Sequence, residues 1–213
     1  SGVRPLPNSE SRKPGSITRR HRIYDHSSEG ITNLISLIGG KITTYRQVGQ
    51  EIVDAVYRKQ GRLVPSCPTA YERLPGAILP DDARIQQAIH DYQERLSLAT
   101  IDYLFSIYGA RALEVLALTD SEPELARAIV PPLPYIKAQV VYAVKSEYAR
   151  TLVDITYRRT TLAIHTNYGF KALPAIAQTL KEYCGWSQAE CDRQAEHYWV
   201  YMAANCIPDY ALA

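Results

Sequence analysis

The sequence contains no apolar run long enough to cross a membrane, since a spanning helix needs about 20 consecutive apolar residues. Its N-terminus lacks the apolar segment of a secretory signal. The four cysteines form no CxxC pair and are not spaced like metal ligands, so we expect reduced thiols and no metal site. These absences predict a cytoplasmic protein, or one that binds only the cytoplasmic surface of a membrane.

The chain has little net charge and almost no phenylalanine. Its formal net charge of +2 gives no reason to expect a polyanionic partner. The basic run from Arg12 to Arg22 has no aromatic platform beyond Tyr24, so we expect no binding of nucleic acid. Sixteen tyrosines accompany two phenylalanines, which indicates amphipathic packing surfaces and leaves a homo-oligomer open.

Residues 1–61 carry the pattern of strands followed by one helix. Arg19 to Tyr24 and Ile31 to Ile38 are separated by turn residues, which predicts a hairpin. After Thr43 a helical pattern begins. Its apolar residues recur at helical spacing, and we expect them to be buried: Tyr45, Val48, Ile52 and Val56.

The remaining residues predict a linker and a helical domain. Residues 62–80 hold four prolines and a glycine, a density that breaks both helix and strand. Residues 81–213 carry successive amphipathic stripes, so we predict an all-α domain there and, for the whole chain, an α+β class that is predominantly helical. Within this domain the pairs Glu147/Arg150 and Asp154/Arg158 have the order of helix-stabilising ion pairs, and a capping box is expected from Ser187 to Glu190.

The segment Ile31 to Arg46, with the sequence ITNLISLIGGKITTYR, is the clearest candidate for a site. Two glycines after a buried strand let the backbone approach a ligand closely. The threonines that follow offer hydroxyl caps to a helix whose N-terminus favours negative charge, and Lys41 adds a full positive charge. The pattern predicts half of an anion-binding or cofactor-binding site.

Two further cations are candidates for the same site. Arg4 stands in an apolar setting, and Arg19 begins the first predicted strand. A guanidinium group gives bidentate hydrogen bonds to a phosphate or carboxylate. Arg4 taken alone is better explained by a structural ion pair. Together with Lys41, however, they favour an anionic ligand.

Several of these segments, in this order, resemble the FAD-dependent glycerol-3-phosphate dehydrogenases. The matching segments are Gly2 to Leu6, Ile17 to Arg19, Gly39 to Arg46, Cys67 to Thr69, Leu74 to Ala77, Tyr108 to Ala112, Ala138 to Val144, Arg158 to Thr160 and Gly185-Trp186. The resemblance covers nearly the whole chain and assigns it to the C-terminal part of that family: the end of the flavin domain and the helical domain.

The resemblance implies a function and a set of site residues. Enzymes of this family oxidise sn-glycerol 3-phosphate to dihydroxyacetone phosphate, pass a hydride to FAD and deliver the electrons to a quinone at the membrane surface. By position, Arg4, Arg19 and Lys41 would contact the substrate and its phosphate. The residues that would lie against the flavin are Gly39, Gly40, Lys41, Ile42 and Thr43. The resemblance assigns no role to Arg20 or His21.

The sequence departs from the family pattern because it contains no GxGxxG fingerprint for the FAD pyrophosphate. The chain also starts with Ser1, and we expect it to be cut from a longer protein and, by itself, inactive and unable to retain FAD. Two alternatives stay open: a free-standing helical interaction module without redox activity, and a related flavin oxidase with another substrate. A GxGxxG segment encoded directly upstream would exclude the module.

Overall fold

The structure is a computed structural model that describes residues 20–208. The chain divides into two compact units between Leu74 and Pro75, a point inside the segment 62–80 expected to be a linker. The described residues are mostly helical, with one two-stranded sheet. This confirms the predominantly helical class.

The first unit contains the predicted hairpin, with shorter strands than expected. Strand β1 (Arg22–Asp25) pairs antiparallel with β2 (Ile35–Ile38), so that Arg22 lies opposite Ile38. The turn begins with a 3-10 helix, His26–Glu29, and the Asp25 carboxylate accepts a hydrogen bond from the Ser27 N–H at its start. The 3-10 helix lies in the predicted turn. Residues Ile31 to Leu34, which the apolar pattern had assigned to the second strand, belong to the connection instead.

Helix α1 (Tyr45–Lys59) follows the hairpin and is amphipathic as predicted, but its apolar face is less buried than expected. Val48 is buried, whereas Tyr45 is 63% exposed and Val56 is 36% exposed. Among residues 20–74 only the hairpin and short turns are available to cover this face. The expectation of a fully buried stripe was therefore wrong for this unit.

The second unit is built from six α-helices within the described part of the chain. They are α2 (Ala83–Tyr92), α3 (Leu98–Tyr108), α4 (Ala112–Ser121), α5 (Lys137–Lys145), α6 (Leu173–Cys184) and α7 (Gln188–Asn205). A π-helical turn, Asp154–Arg159, lies between α5 and α6. Gly185 ends α6 in the left-handed conformation, as its position in the sequence predicts.

Helix α5 lies at the centre of this unit. Seven of its nine residues, from Lys137 to Ala143, are buried. Val140 and Ala143 belong to a cluster of buried side chains shared with α6 and α7, while Ala138 and Val141 belong to a cluster shared with α3 and α4. Helix α5 is therefore packed on several sides, and its buried residues include the polar side chains of Lys137 and Gln139.

Two local predictions need correction. At α7, Ser187 Oγ accepts a hydrogen bond from the Glu190 N–H at 3.1 Å, but the Glu190 carboxylate binds Arg193 and Gln194. Only half of the capping box therefore forms. Glu147 and Arg150 are not a helical ion pair, because α5 ends at Lys145.

The second acid-base pair predicted in this region is present. Arg158 donates to the Asp154 carboxylate. The same carboxylate also accepts from the Arg150 and Thr151 N–H groups, each at 2.9 Å. Burial opposes ionisation of Asp154, but these hydrogen bonds outweigh it and lower the pKa of the carboxyl. Asp154 thus holds the start of the π-helical segment.

The pKa of the Glu147 carboxyl is shifted in the opposite direction from that of Asp154. Its Oε2 atom is buried without a hydrogen-bond partner among the described residues, and burial raises the pKa of the carboxyl despite the nearby Arg159 and Arg111. We expect Glu147→Gln to raise the free energy of unfolding at neutral pH by about 1 kcal/mol, because it removes a partly buried charge.

The size of this effect depends on pH. A raised folded-state pKa means that ionisation of Glu147 costs stability above the usual carboxyl pKa of 4.5 and costs nothing well below it, where both states are protonated. Urea unfolding at pH 7 and pH 4 should therefore show the gain at the higher pH only. An equal gain at both values would contradict this explanation.

The distribution of buried side chains predicts that the helical unit is the more stable of the two. Among residues 20–74 Val48 is the one buried hydrophobic side chain, whereas all the others lie after Pro75. Segment 62–74 has no helix or strand apart from one short turn, and Leu63 and Tyr71 are more than nine-tenths exposed. Limited trypsin digestion should cut first after Arg62 or Arg73 and leave the helical unit intact. Early cuts inside α5 or α6 would contradict this prediction.

Candidate functional site: the glycine corner

The glycine corner consists of residues 39–44, between strand β2 and helix α1. Gly39 and Gly40 have φ angles of 75° and 103°, which L side chains rarely adopt. A Cβ atom at Gly40 would also lie only 3.3 Å from the Cβ of His21. Glycine is therefore required twice here, once for the turn and once for the close approach of His21.

Lys41 precedes a 3-10 turn, Ile42–Thr44, and its backbone carbonyl holds that turn together. The carbonyl accepts from the Thr44 N–H at 3.0 Å and from the Thr44 hydroxyl at 2.9 Å. The expectation that a threonine hydroxyl caps the helix was wrong, because neither the 3-10 turn nor α1 has a side-chain cap. The Thr44 hydroxyl donates back to the chain instead of accepting from it.

Lys41 borders two cavities of different character. The polar cavity, of about 380 Å³, is lined by Arg20, His21, Lys41, Thr44 and Gln47. The apolar cavity, of about 520 Å³, is lined by Leu37, Gly39, Gly40, Lys41, Ile42, Tyr45, Val48, Gly49 and Ile52. Among residues 20–208, Lys41 is the residue that the two linings share. A single lysine thus lies at the border between a cationic cavity and an apolar one.

A histidine-carboxylate pair contributes to the polar cavity. His21 Nε2 lies 2.6 Å from Glu51 Oε2, and Gln47 Nε2 donates to Glu51 Oε1 at 2.8 Å. The hydrogen bond from His21 is the largest of the causes that lower the pKa of the Glu51 carboxyl. Sequence reasoning missed Glu51, although it follows Gln47 by one helical turn and so lies on the same face of α1.

The structure brings together five of the seven residues predicted for the site. These are Gly39, Gly40, Lys41, Ile42 and Thr43, of which Ile42 is 86% exposed. Arg4 and Arg19 lie outside the described residues. No group of histidine, cysteine or acidic side chains suited to a metal occurs among residues 20–208.

The helical unit shows no comparable site in its described residues. Its cavity of about 530 Å³ is bordered by two arginines, but Arg95 is paired with Asp120 and Arg127 with Glu124. His165 is hydrogen-bonded to the Tyr135 hydroxyl at 2.9 Å and packs against it. None of the helices in residues 20–208 is both long and apolar enough to span a bilayer.

Comparison with known proteins places this architecture in a family. The model of the C-terminal domain of alpha-glycerophosphate oxidase matches residues 67–191, which include α2 to α6 and the start of α7. The match covers more than half of the chain. The protein therefore belongs to the family that carries this domain.

Three similar proteins are glycerol-3-phosphate dehydrogenases by name. One from Synechocystis is 55% identical over all 213 residues of the chain, which cover 38% of that protein. A probable mitochondrial enzyme of Caenorhabditis elegans is 32% identical over 92% of the chain and 27% of its own length. Glycerol-3-phosphate dehydrogenase 2 of Mycobacterium bovis is 29% identical over 97% of the chain and 35% of its own length.

These matches confirm the resemblance drawn from the sequence. The chain spans 38% or less of the length of these relatives. Since the chain aligns almost from end to end, the similarity includes the glycine corner as well as the helical unit.

Proposed function

We propose that this chain is the C-terminal part of an FAD-dependent glycerol-3-phosphate dehydrogenase. In the complete enzyme, sn-glycerol 3-phosphate would be oxidised to dihydroxyacetone phosphate and the electrons passed through FAD to a quinone at the cytoplasmic membrane surface. The observation that carries this proposal is the position of Lys41, between a cavity lined by cations and an apolar cavity. The names of the relatives supply the substrate class.

The apolar cavity fits the ring system of a flavin. A flavin ring is flat and largely apolar with a polar edge, and this lining combines aliphatic side chains and Tyr45 with the bare backbone of Gly39 and Gly40. Lys41 adds a positive charge at the rim. A fixed cation near a flavin stabilises the negative charge that the ring gains on reduction. Of the five residues predicted to contact the flavin, Gly39, Gly40, Lys41 and Ile42 line this cavity and would form the contact, whereas Thr43 does not line it.

The polar cavity fits the phosphate of the substrate. Glycerol 3-phosphate is a dianion near neutral pH, and a dianion requires several fixed donors or cations. Lys41 would bind this phosphate as a charge-assisted donor, together with Arg4 and Arg19. These contacts would hold the carbon that bears the reacting hydroxyl close to the apolar cavity.

This arrangement assigns different roles in the reaction to the flavin and to the residues of this chain. Oxidation removes a hydride from C2 of the substrate and a proton from its hydroxyl, and the bound flavin supplies the acceptor for the hydride. The residues of this chain bind and orient the substrate and provide positive charge. The proton acceptor is not assigned to any described residue.

The experiment that tests this proposal is a substrate and acceptor comparison with the complete, flavin-loaded enzyme. Glycerol 3-phosphate should reduce a soluble quinone analogue, while glycerol should be a far poorer substrate because it lacks the phosphate. Oxygen should be a poorer acceptor than the quinone. An enzyme that does not reduce the quinone with glycerol 3-phosphate would contradict the proposed function.

A further inference from the structure

His21 is the residue of the polar cavity to which neither the sequence nor the family resemblance assigns a role. It lies directly before strand β1, and its Cβ packs against Gly40 at the glycine corner. Its imidazole lines the polar cavity together with Lys41 and Thr44. The side chain is therefore fixed between the hairpin and helix α1, at the wall where an anion would bind.

Glu51 fixes the orientation of this imidazole. The Glu51 carboxylate on α1 binds Nε2 of His21 at 2.6 Å and is itself held by Gln47 at 2.8 Å. When an imidazole is protonated, both ring nitrogens donate, so one N–H can stay on the carboxylate while the other donates to an anion. A carboxylate behind a histidine sets the orientation of the ring in the same way at many binding sites.

A second histidine of the same hairpin shows what a purely structural pair looks like. His26 Nδ1 binds Glu29 at 2.8 Å and its Nε2 binds Ser36 Oγ at 2.8 Å, so both ring nitrogens are used within the hairpin. His26 lines neither the polar nor the apolar cavity. The two histidines have nearly equal side-chain exposure, 20% for His21 and 19% for His26. They differ mainly in whether they border a cavity.

We infer that His21 is a further substrate-binding residue, which donates to the phosphate of glycerol 3-phosphate from a ring oriented by Glu51. This inference rests on the proposed function, because it uses the same cavity and the same substrate. It assigns His21 the task of recognising the phosphate group, and Glu51 the task of positioning His21. Arg20 and Lys41 supply the other positive charges of the lining.

The test uses inorganic phosphate as a competitive inhibitor of the complete, flavin-loaded enzyme. His21→Asn should raise both the KM for glycerol 3-phosphate and the Ki for phosphate about tenfold, as expected for the loss of one charge-assisted hydrogen bond. The Ki for glycerol, which is uncharged, should stay within about twofold of the parent value. A loss of folding alone would not raise the Ki for phosphate while leaving the Ki for glycerol unchanged.

His26→Asn is the matched control and should leave both Ki values within about twofold of the parent. If His21→Asn does not fold, Glu51→Gln serves instead, because it keeps the size of the side chain and removes the charge behind the ring. It should raise the Ki for phosphate by about threefold or more.

An unchanged Ki for phosphate in the folded variant, or an equal rise for phosphate and glycerol, would overturn the assignment of His21. This outcome is distinct from failure of the proposed function. If the proposed function fails, the parent enzyme itself does not oxidise glycerol 3-phosphate.

Discussion

Lys41→Ala in the complete enzyme should lower kcat/KM for glycerol 3-phosphate by about tenfold to over a hundredfold. A charge-assisted hydrogen bond to a dianion contributes about 1.5 to 3 kcal/mol. In the described part of the chain, Lys41 is the one residue that lines both the polar and the apolar cavity. Its aliphatic chain is exposed in this unit, so the thermal stability should hardly change. Steady-state kinetics and a thermal unfolding curve measure the two effects separately.

Lys59→Ala is the matched control for this experiment. Lys59 lies in the same unit, at the far end of α1, where its ammonium group donates to Asp25 and Ser27. Its loss should weaken the attachment of the helix to the hairpin and leave kcat/KM within about twofold of the parent. If Lys41→Ala behaves like Lys59→Ala, Lys41 does not contact the substrate.

Gly109→Ala should destabilise the helical unit by about 3 to 5 kcal/mol, the sum of a positive φ that L residues rarely adopt and a severe overlap. Gly109 ends α3 with a φ of 56°, and an added Cβ would lie 1.9 Å from the carbonyl oxygen of Gly76. That oxygen also accepts the hydrogen bond from the Ala110 N–H at 2.8 Å. Relief of the overlap would require movement of the backbone. Denaturant unfolding measures the loss.

Gly185→Ala measures the cost of a positive φ without the overlap. Gly185 ends α6 with a φ of 73°, but apart from its two chain neighbours no residue among 20–208 has an atom within 4 Å of the position of its Cβ. Only the conformational cost remains at that site, about 1 to 2 kcal/mol. Equal losses for the two variants would show that the close approach of Gly76 does not determine the stability of the unit.

The contact between Gly109 and Gly76 joins two segments that each resemble the family. The segments Leu74 to Ala77 and Tyr108 to Ala112 were matched to the family separately, from their residues alone. In the structure their backbones touch, and this contact needs glycine on one side. Sequence could show that both segments are typical of the family, but not that they contact each other.

The helical elements were predictable because their signals are local. A stripe of apolar residues followed by Gly185 is sufficient to predict α6, and Ser187 marks the start of α7. The errors arose where tertiary structure determines the end of a helix or the partner of a side chain. The end of α5 at Lys145 leaves Glu147 outside any helix, and the 3-10 turn before α1 gives the Thr44 hydroxyl a partner that no spacing rule predicts.

In the candidate site, the residues that are adjacent in sequence were predictable and the pair that is distant in sequence was not. The two glycines and Lys41 are adjacent in sequence, and their type alone indicates close backbone approach and positive charge. The pair of His21 and Glu51 joins residues 30 positions apart on a strand end and a helix. Its distance of 2.6 Å follows only from the way α1 packs on the hairpin.

The most direct test of the central proposal is anaerobic titration of the complete enzyme with glycerol 3-phosphate, followed by the absorption of the bound flavin. The parent should lose its oxidised flavin absorption on addition of the substrate. Lys41→Ala should require at least about tenfold more substrate for the same loss. A parent flavin that stays oxidised, or a parent and Lys41→Ala that bleach at the same substrate concentration, would contradict the account.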